Sequence, residues 1–124
     1  MNRDAADLHR AFTDACNDHD LVTIRRLLDP RVTAWRPGHG VAHGADAVLA
    51  WWAEDFAAFP DLSVSTSLVL TQGSSVFSEA EVRGTNGAPI PRCPTDADGL
   101  GARFQIRVSM VEEWRDGRLL ATRT

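Results

Sequence analysis

The chain has 124 residues, a formal net charge of −4 and 44% hydrophobic residues. That is the length of one domain, 1–124, with enough apolar content for one core and one modest pocket. The basic residues are scattered, which argues against a nucleic-acid partner, and no apolar run approaches the roughly 20 residues of a membrane span.

The opening stretch MNRDAADLHR lacks the apolar centre of a secretion signal. Cys16 and Cys93 do not make a disulfide framework, so the expectation is two free thiols in a reducing cytoplasm. Asp4 to Asn17 reads as a first helix, with Leu8, Phe12, Ala15 and Cys16 on one face. Asn17-Asp18-His19-Asp20 breaks it, and Asp20 is a candidate N-cap for a short helix through Leu28. Asp29-Pro30 ends that helix. Arg31 to Arg36 reads as a short strand, with Val32 and Ala34 on one face and Thr33 and Trp35 on the other. Pro37-Gly38-His39-Gly40 is a turn, and Val41-Ala42-His43 leads into the next helix.

That helix starts after Gly44. Val48, Leu49, Trp52, Phe56 and Phe59 line one of its faces, and Pro60 stops it. Leu62, Val64, Thr66, Leu68 and Leu70 then alternate with small polar residues, which predicts a strand with those five on one face. Val76 to Thr85 and Arg103 to Trp114 are further strands, separated by a Pro-, Gly- and Asp-rich excursion from Asn86 to Gly101. Asp116-Gly117 marks a two-residue hairpin into a last strand from Leu119 to Thr122. The order predicts an α+β domain: three N-terminal helices packed on a curved antiparallel sheet, with a four-strand meander at its end. A curved sheet folded over a long helix makes a cone whose open end is a pocket.

Several fragments in order resemble the SnoaL-like polyketide cyclase group of the NTF2-like superfamily. They are Asn17-Asp18-His19-Asp20, Phe59-Pro60-Asp61-Leu62, Gly84-Thr85-Asn86-Gly87, Pro94-Thr95 and Trp114-Arg115-Asp116-Gly117-Arg118-Leu119. The resemblance implies an NTF2-like cone, a pocket for a small apolar molecule, and dimerisation through the sheet. Its members include cyclases, isomerases, dehydratases, epoxide hydrolases and non-catalytic proteins. Ketosteroid-isomerase-like members carry a catalytic carboxylate on the first short strand, where the nearest match here is Trp35 or Arg36. Cyclases commonly place an acid or histidine on the last strand, and Leu119 to Thr124 has neither. The chemistry must therefore use other groups.

Glu112 is the sharpest candidate, because it shares a strand face with Phe104, Ile106, Val108, Met110 and Trp114. A carboxyl drawn into a pocket there could act as general base or acid; a bulge could instead turn it to solvent. Asp55 falls near the helix stripe, as a pocket acid or as the partner of an arginine such as Arg36 or Arg107. His43 stands at the start of the central helix as a candidate proton donor. His39-x-x-x-His43 would suit a metal only on a regular helix, which Pro37, Gly38 and Gly40 oppose, so no metal is expected. Trp35, His39, Trp52, Phe56 and Met110 are expected to contact the substrate. There is no phosphate loop, dinucleotide fingerprint or serine elbow, and no cofactor is expected.

Two functions follow. One is cofactor-free cyclase, isomerase or dehydratase chemistry on an apolar carbonyl compound. The other is a non-catalytic binding or accessory protein of the same fold. The face away from the helices would carry Gln105, Arg107, Ser109, Val111 and Glu113 beside Phe77, Glu79, Glu81 and Arg83. Both charge signs and two apolar groups suit a two-fold contact, and a homodimer through the sheet is expected.

Overall fold

The computed structural model describes residues 4–87 and 101–124. Most of the excursion after Asn86, with Cys93 and Pro94-Thr95, lies outside the described residues.

Helix α1 (Ala5–Asn17) begins at Asp4, whose carboxylate accepts the Asp7 N–H at 2.8 Å and satisfies one of the helix's free donors. Helix α2 (Leu21–Leu27) is capped in the same way by Asp20, which accepts from the Thr23 N–H. Strand β1 (Leu28–Arg36) follows directly, starting at Leu28 rather than at Arg31 as expected. The stretch with Pro30 falls where its pairing register breaks, so the missing proline donor leaves no ladder bond unmade. Val41-Ala42-His43, expected as a lead-in, is part of a second strand, β2 (Gly40–His43). Helix α3 (Ala45–Ala58) starts after Gly44, whose φ of 90° suits a residue without a Cβ, and ends ahead of Pro60. Strands β3 (Ser63–Gln72), β4 (Ser75–Thr85), β5 (Arg103–Arg115) and β6 (Arg118–Arg123) complete the fold.

The six strands form one sheet in the order β2-β1-β6-β5-β4-β3. The expected meander is β3 to β6, and β1 extends it by pairing parallel to β6. This parallel contact carries the β1–β2 hairpin onto the sheet, which curves over the three helices as a cone. The apolar faces of α1, α2 and α3 meet the inner face around Phe12, Ile24, Val32, Val48, Val76, Trp114 and Leu119.

Register decides which side chains face inward. Ala34, Thr122, Glu112 and Val76 align across β1, β6, β5 and β4 on the helix side. One residue along, Val41, Trp35, Arg123, Val111, Phe77 and Leu70 align on the outer side. Leu68 and Leu70 were expected on the face of Val64 and Thr66. An extra residue, Ser67, sits between the pairs Thr66–Ala80 and Leu68–Glu79, and this bulge turns both leucines outward. At the wide end, Gly84 lets the Phe104 ring approach: a Cβ there would lie 2.7 Å from Phe104 Cε1.

Candidate active site

Glu112 points inward from β5 and is 3% exposed. Its Oε1 lies 2.9 Å from Nδ1 of His9 on α1 and accepts the Trp114 indole N–H at 3.1 Å. His9 is equally buried, and its Nε2 lies 3.5 Å from Thr66 Oγ1 on β3. One consistent proton arrangement has Nδ1–H donating to the carboxylate and Nε2 accepting from the threonine. A buried carboxylate needs such donors, because an unpaired one is costly. The register shift of the β5–β6 pair falls between Glu113 and Trp114, with Leu120 of β6 the extra residue, so it does not turn Glu112 to solvent.

Aromatic rings surround this pair. Phe12 meets Trp52 edge-on at 5.9 Å and Trp114 at 6.1 Å. Trp52 contacts Phe56, which stacks on His19 with centroids 4.2 Å apart. Met110 lies on the Glu112 side of β5, opposite Ser78. The Ser78 hydroxyl is fully buried and has no partner among the described residues.

A second polar pair stands on the same inner side. Arg36, at the end of β1, donates from Nη1 to Asp55 Oδ2 on α3 at 2.6 Å. Its guanidinium carbon lies 4.8 Å from the Trp52 ring centroid and 5.2 Å from that of Trp51. Cys16 on α1 is buried in the core cluster. Burial pushes its thiol well above the usual range, and the charges of Arg36, Glu112 and Asp55 all act on it. Arg36 lies two residues past Ala34, which is in register with Glu112 across β6, so Arg36 and Glu112 leave the same face of the sheet.

The remaining candidates separate. Trp52 and Phe56 pack against the core, and Met110 lies on the Glu112 side of β5. Asp55 is paired with Arg36. Trp35 instead projects from the outer face and is 42% exposed, because the Val32–Ala34 side of β1 faces the helices. His43 pairs with Thr33 on that outer side and lines an open cleft of about 440 Å³ with Arg25, Arg26, Asp46 and Arg118. It does not approach Glu112's inner face. His39 is in the β1–β2 turn, bonded to the Pro37 carbonyl, with its ring 5.9 Å from that of Trp51. His9 was missed. Its signal was its place three residues before Phe12 and seven before Cys16, on the stripe that enters the core.

A six-strand sheet of this order, curved over three helices, defines an NTF2-like α+β cone. The chain belongs to the SnoaL-like domain family, whose model matches residues 9–122. Among solved structures it is similar to IdmH of Streptomyces antibioticus, a candidate polyketide cyclase, at 23% identity and a TM-score of 0.81, covering 98% of this chain and 90% of that one. A candidate SnoaL-like polyketide cyclase from Jannaschia sp. CCS1 shares 18% identity at a TM-score of 0.82, with 99% and 88% covered. An LEH-like epoxide hydrolase from M. tuberculosis shares 19% at 0.76, with 96% and 79% covered. At these identities the likeness is one of fold. Among curated proteins no relative matches the chain. No helix among the described residues is long and apolar enough to cross a membrane.

Proposed function

We propose that the protein is a small-molecule enzyme of the cyclase, isomerase or dehydratase type, using cofactor-free acid/base chemistry on an apolar carbonyl compound inside the cone. The observation that carries this reading is the His9–Glu112 pair, 2.9 Å apart and buried among aromatic rings. Both donors to Glu112 converge on Oε1, so Oε2 is the oxygen assigned to proton abstraction. Glu112 takes a proton from carbon next to the substrate carbonyl, and the electron pair moves onto the carbonyl oxygen. Isomerisation follows when Glu112 returns the proton to a different carbon. Cyclisation follows when the enolate carbon attacks a second carbonyl and the new alkoxide takes that proton. His9 holds the carboxylate through Nδ1–H, a positioning role.

The test is deuterium exchange next to the carbonyl of bicyclic ketones such as 2-tetralone in D2O, followed by NMR. The chain should accelerate exchange, and Glu112→Gln should lower the rate by roughly a hundred- to ten-thousand-fold. A fully active variant removes Glu112 from the scheme. Ketone binding without exchange supports the non-catalytic alternative.

We also propose a homodimer through the outer sheet face. Its support is the exposed apolar row of Trp35, Val41, Leu68, Leu70 and Phe77, flanked by Glu79, Glu81, Arg83 and Arg107. Contact with a second copy would bury these apolar groups, and the mixed charges can pair across a two-fold axis. Light scattering should give twice the 13.6 kDa chain mass, and Trp35→Glu should return it to a monomer. A monomeric parent chain at micromolar concentration refutes the dimer.

A further inference from the structure

All 13 basic residues of this chain are arginines; it has no lysine. Among the described residues every arginine except Arg36 is exposed. Arg36 has a side chain only 19% accessible, on the inner side of the cone. Withdrawing one guanidinium from water into an aromatic enclosure is costly unless something compensates it. Asp55 compensates in part, through one 2.6 Å bond from Nη1. The guanidinium has five N–H donors, and the faces of Trp51 and Trp52 hold it without being strong acceptors. The described hydrogen bonds of Arg36 thus leave most of its donor fork unused, and the indoles and Asp55 restrict its direction.

We infer that Arg36 anchors an anionic oxygen of the ligand, so that the pocket selects planar, apolar compounds carrying a carboxylate, phenolate or stabilised enolate. This deepens the proposed function and rests on its reading of the interior as a small-molecule site. The chemistry is complementary. Ala34 and Glu112 are in register across β6, and Arg36 lies two residues past Ala34, so the base and the cation leave the same face of the sheet two strands apart. A ligand between them presents its acidic carbon to Glu112 and its charged oxygen to Arg36. A carboxylate meets a guanidinium through two parallel N–H bonds, which a neutral amide of the same shape cannot match. Trp51 and Trp52 serve twice: they position the cation, and they offer flat apolar surface to the ring system attached to the anion. The competing explanation is a structural tie between β1 and α3. It predicts lost stability on substitution and no dependence on ligand charge.

The experiment compares 2-naphthoate with its neutral isostere 2-naphthamide by titration calorimetry, alongside the thermal midpoint of each variant. The parent chain should bind the naphthoate about tenfold or more tightly than the amide. Arg36→Met should bind the two alike while retaining its affinity for the amide. Equal binding by the parent chain, or a preference that survives Arg36→Met, overturns the inference while leaving the acid/base reading standing. Binding of neither compound overturns the pocket itself and this inference with it. Conversely, a Glu112→Gln chain that still prefers naphthoate keeps the anchor whatever becomes of the base. Should Arg36→Met not fold, guanidinium 15N NMR of the parent chain reads the same contact. The Arg36 signals should shift with naphthoate and stay in place with the amide, and unmoved signals with bound naphthoate refute the anchor.

Discussion

Replacing His9 by leucine leaves Glu112 buried, with the Trp114 N–H as the one described donor remaining on Oε1. Removing the partner of a buried charge costs about 3–5 kcal/mol, because the remaining carboxylate has neither water nor that partner. A domain of this size has about 5–15 kcal/mol in total, so His9→Leu should remove a large share. With a urea slope of about 1.5 kcal/mol/M, the unfolding midpoint should fall by about 2–3 M. Glu112→Leu leaves the buried imidazole without its Nδ1 partner and should cost about 1–3 kcal/mol. The double variant replaces both groups by apolar ones of similar reach and should cost about 0–2 kcal/mol, less than either single change predicts. The assay is urea unfolding followed by tryptophan fluorescence, arranged as a double-mutant cycle. His39→Leu, at an exposed turn residue, is the control and should stay within about 0.5 kcal/mol. The reasoning fails if the two single costs simply add in the double variant, since the groups would then not depend on one another.

Gly84→Ala should cost about 1–3 kcal/mol, because its Cβ would lie 2.7 Å from the Phe104 ring, itself packed against Phe59 with centroids 4.8 Å apart; Phe104→Leu should recover most of it in thermal melts. Asp61 accepts from both the N–H and the hydroxyl of Thr85 at 2.7 Å, and chiefly the hydroxyl bond holds its carboxyl below its ordinary value of 3.8. The folded state therefore gains from the ionised form above the ordinary value and loses that gain as pH falls through the lowered one. The stability gap between the parent chain and Asp61→Asn should narrow on acidification; a gap independent of pH refutes the link. Burial keeps the Cys16 thiol protonated, so iodoacetamide at about pH 8 should alkylate Cys16 only as fast as the chain opens. Rapid modification under native conditions, read by peptide mapping, contradicts its burial.

Local pattern was enough for most elements. Apolar spacing over three and four residues located α1 and α3, Asp20 marked the start of α2, and Asp116-Gly117 gave the β5–β6 hairpin with φ of 51° and 78°. Alternation correctly separated Val76, Ser78 and Ala80 from Phe77, Glu79 and Glu81, and put Glu112 with Met110 and Trp114. These are facts about neighbours in the chain, and the chain order contains them.

Alternation assigns residues to two faces but does not say which face is covered. For β1 that depended on α3 and on a parallel pairing with β6, a contact between segments far apart in sequence. It sent Trp35 outward and Arg36 inward. A single inserted residue, Ser67, reversed Leu68 and Leu70, because the side-chain period of a strand is two. His9 and Glu112 are separated by 103 positions, and Arg36 and Asp55 by 19. Each was legible as a residue of suitable chemistry on a suitable stripe. Their partners depend on how three helices cross one sheet, because a hydrogen bond is made only where packing brings donor and acceptor within about 3 Å.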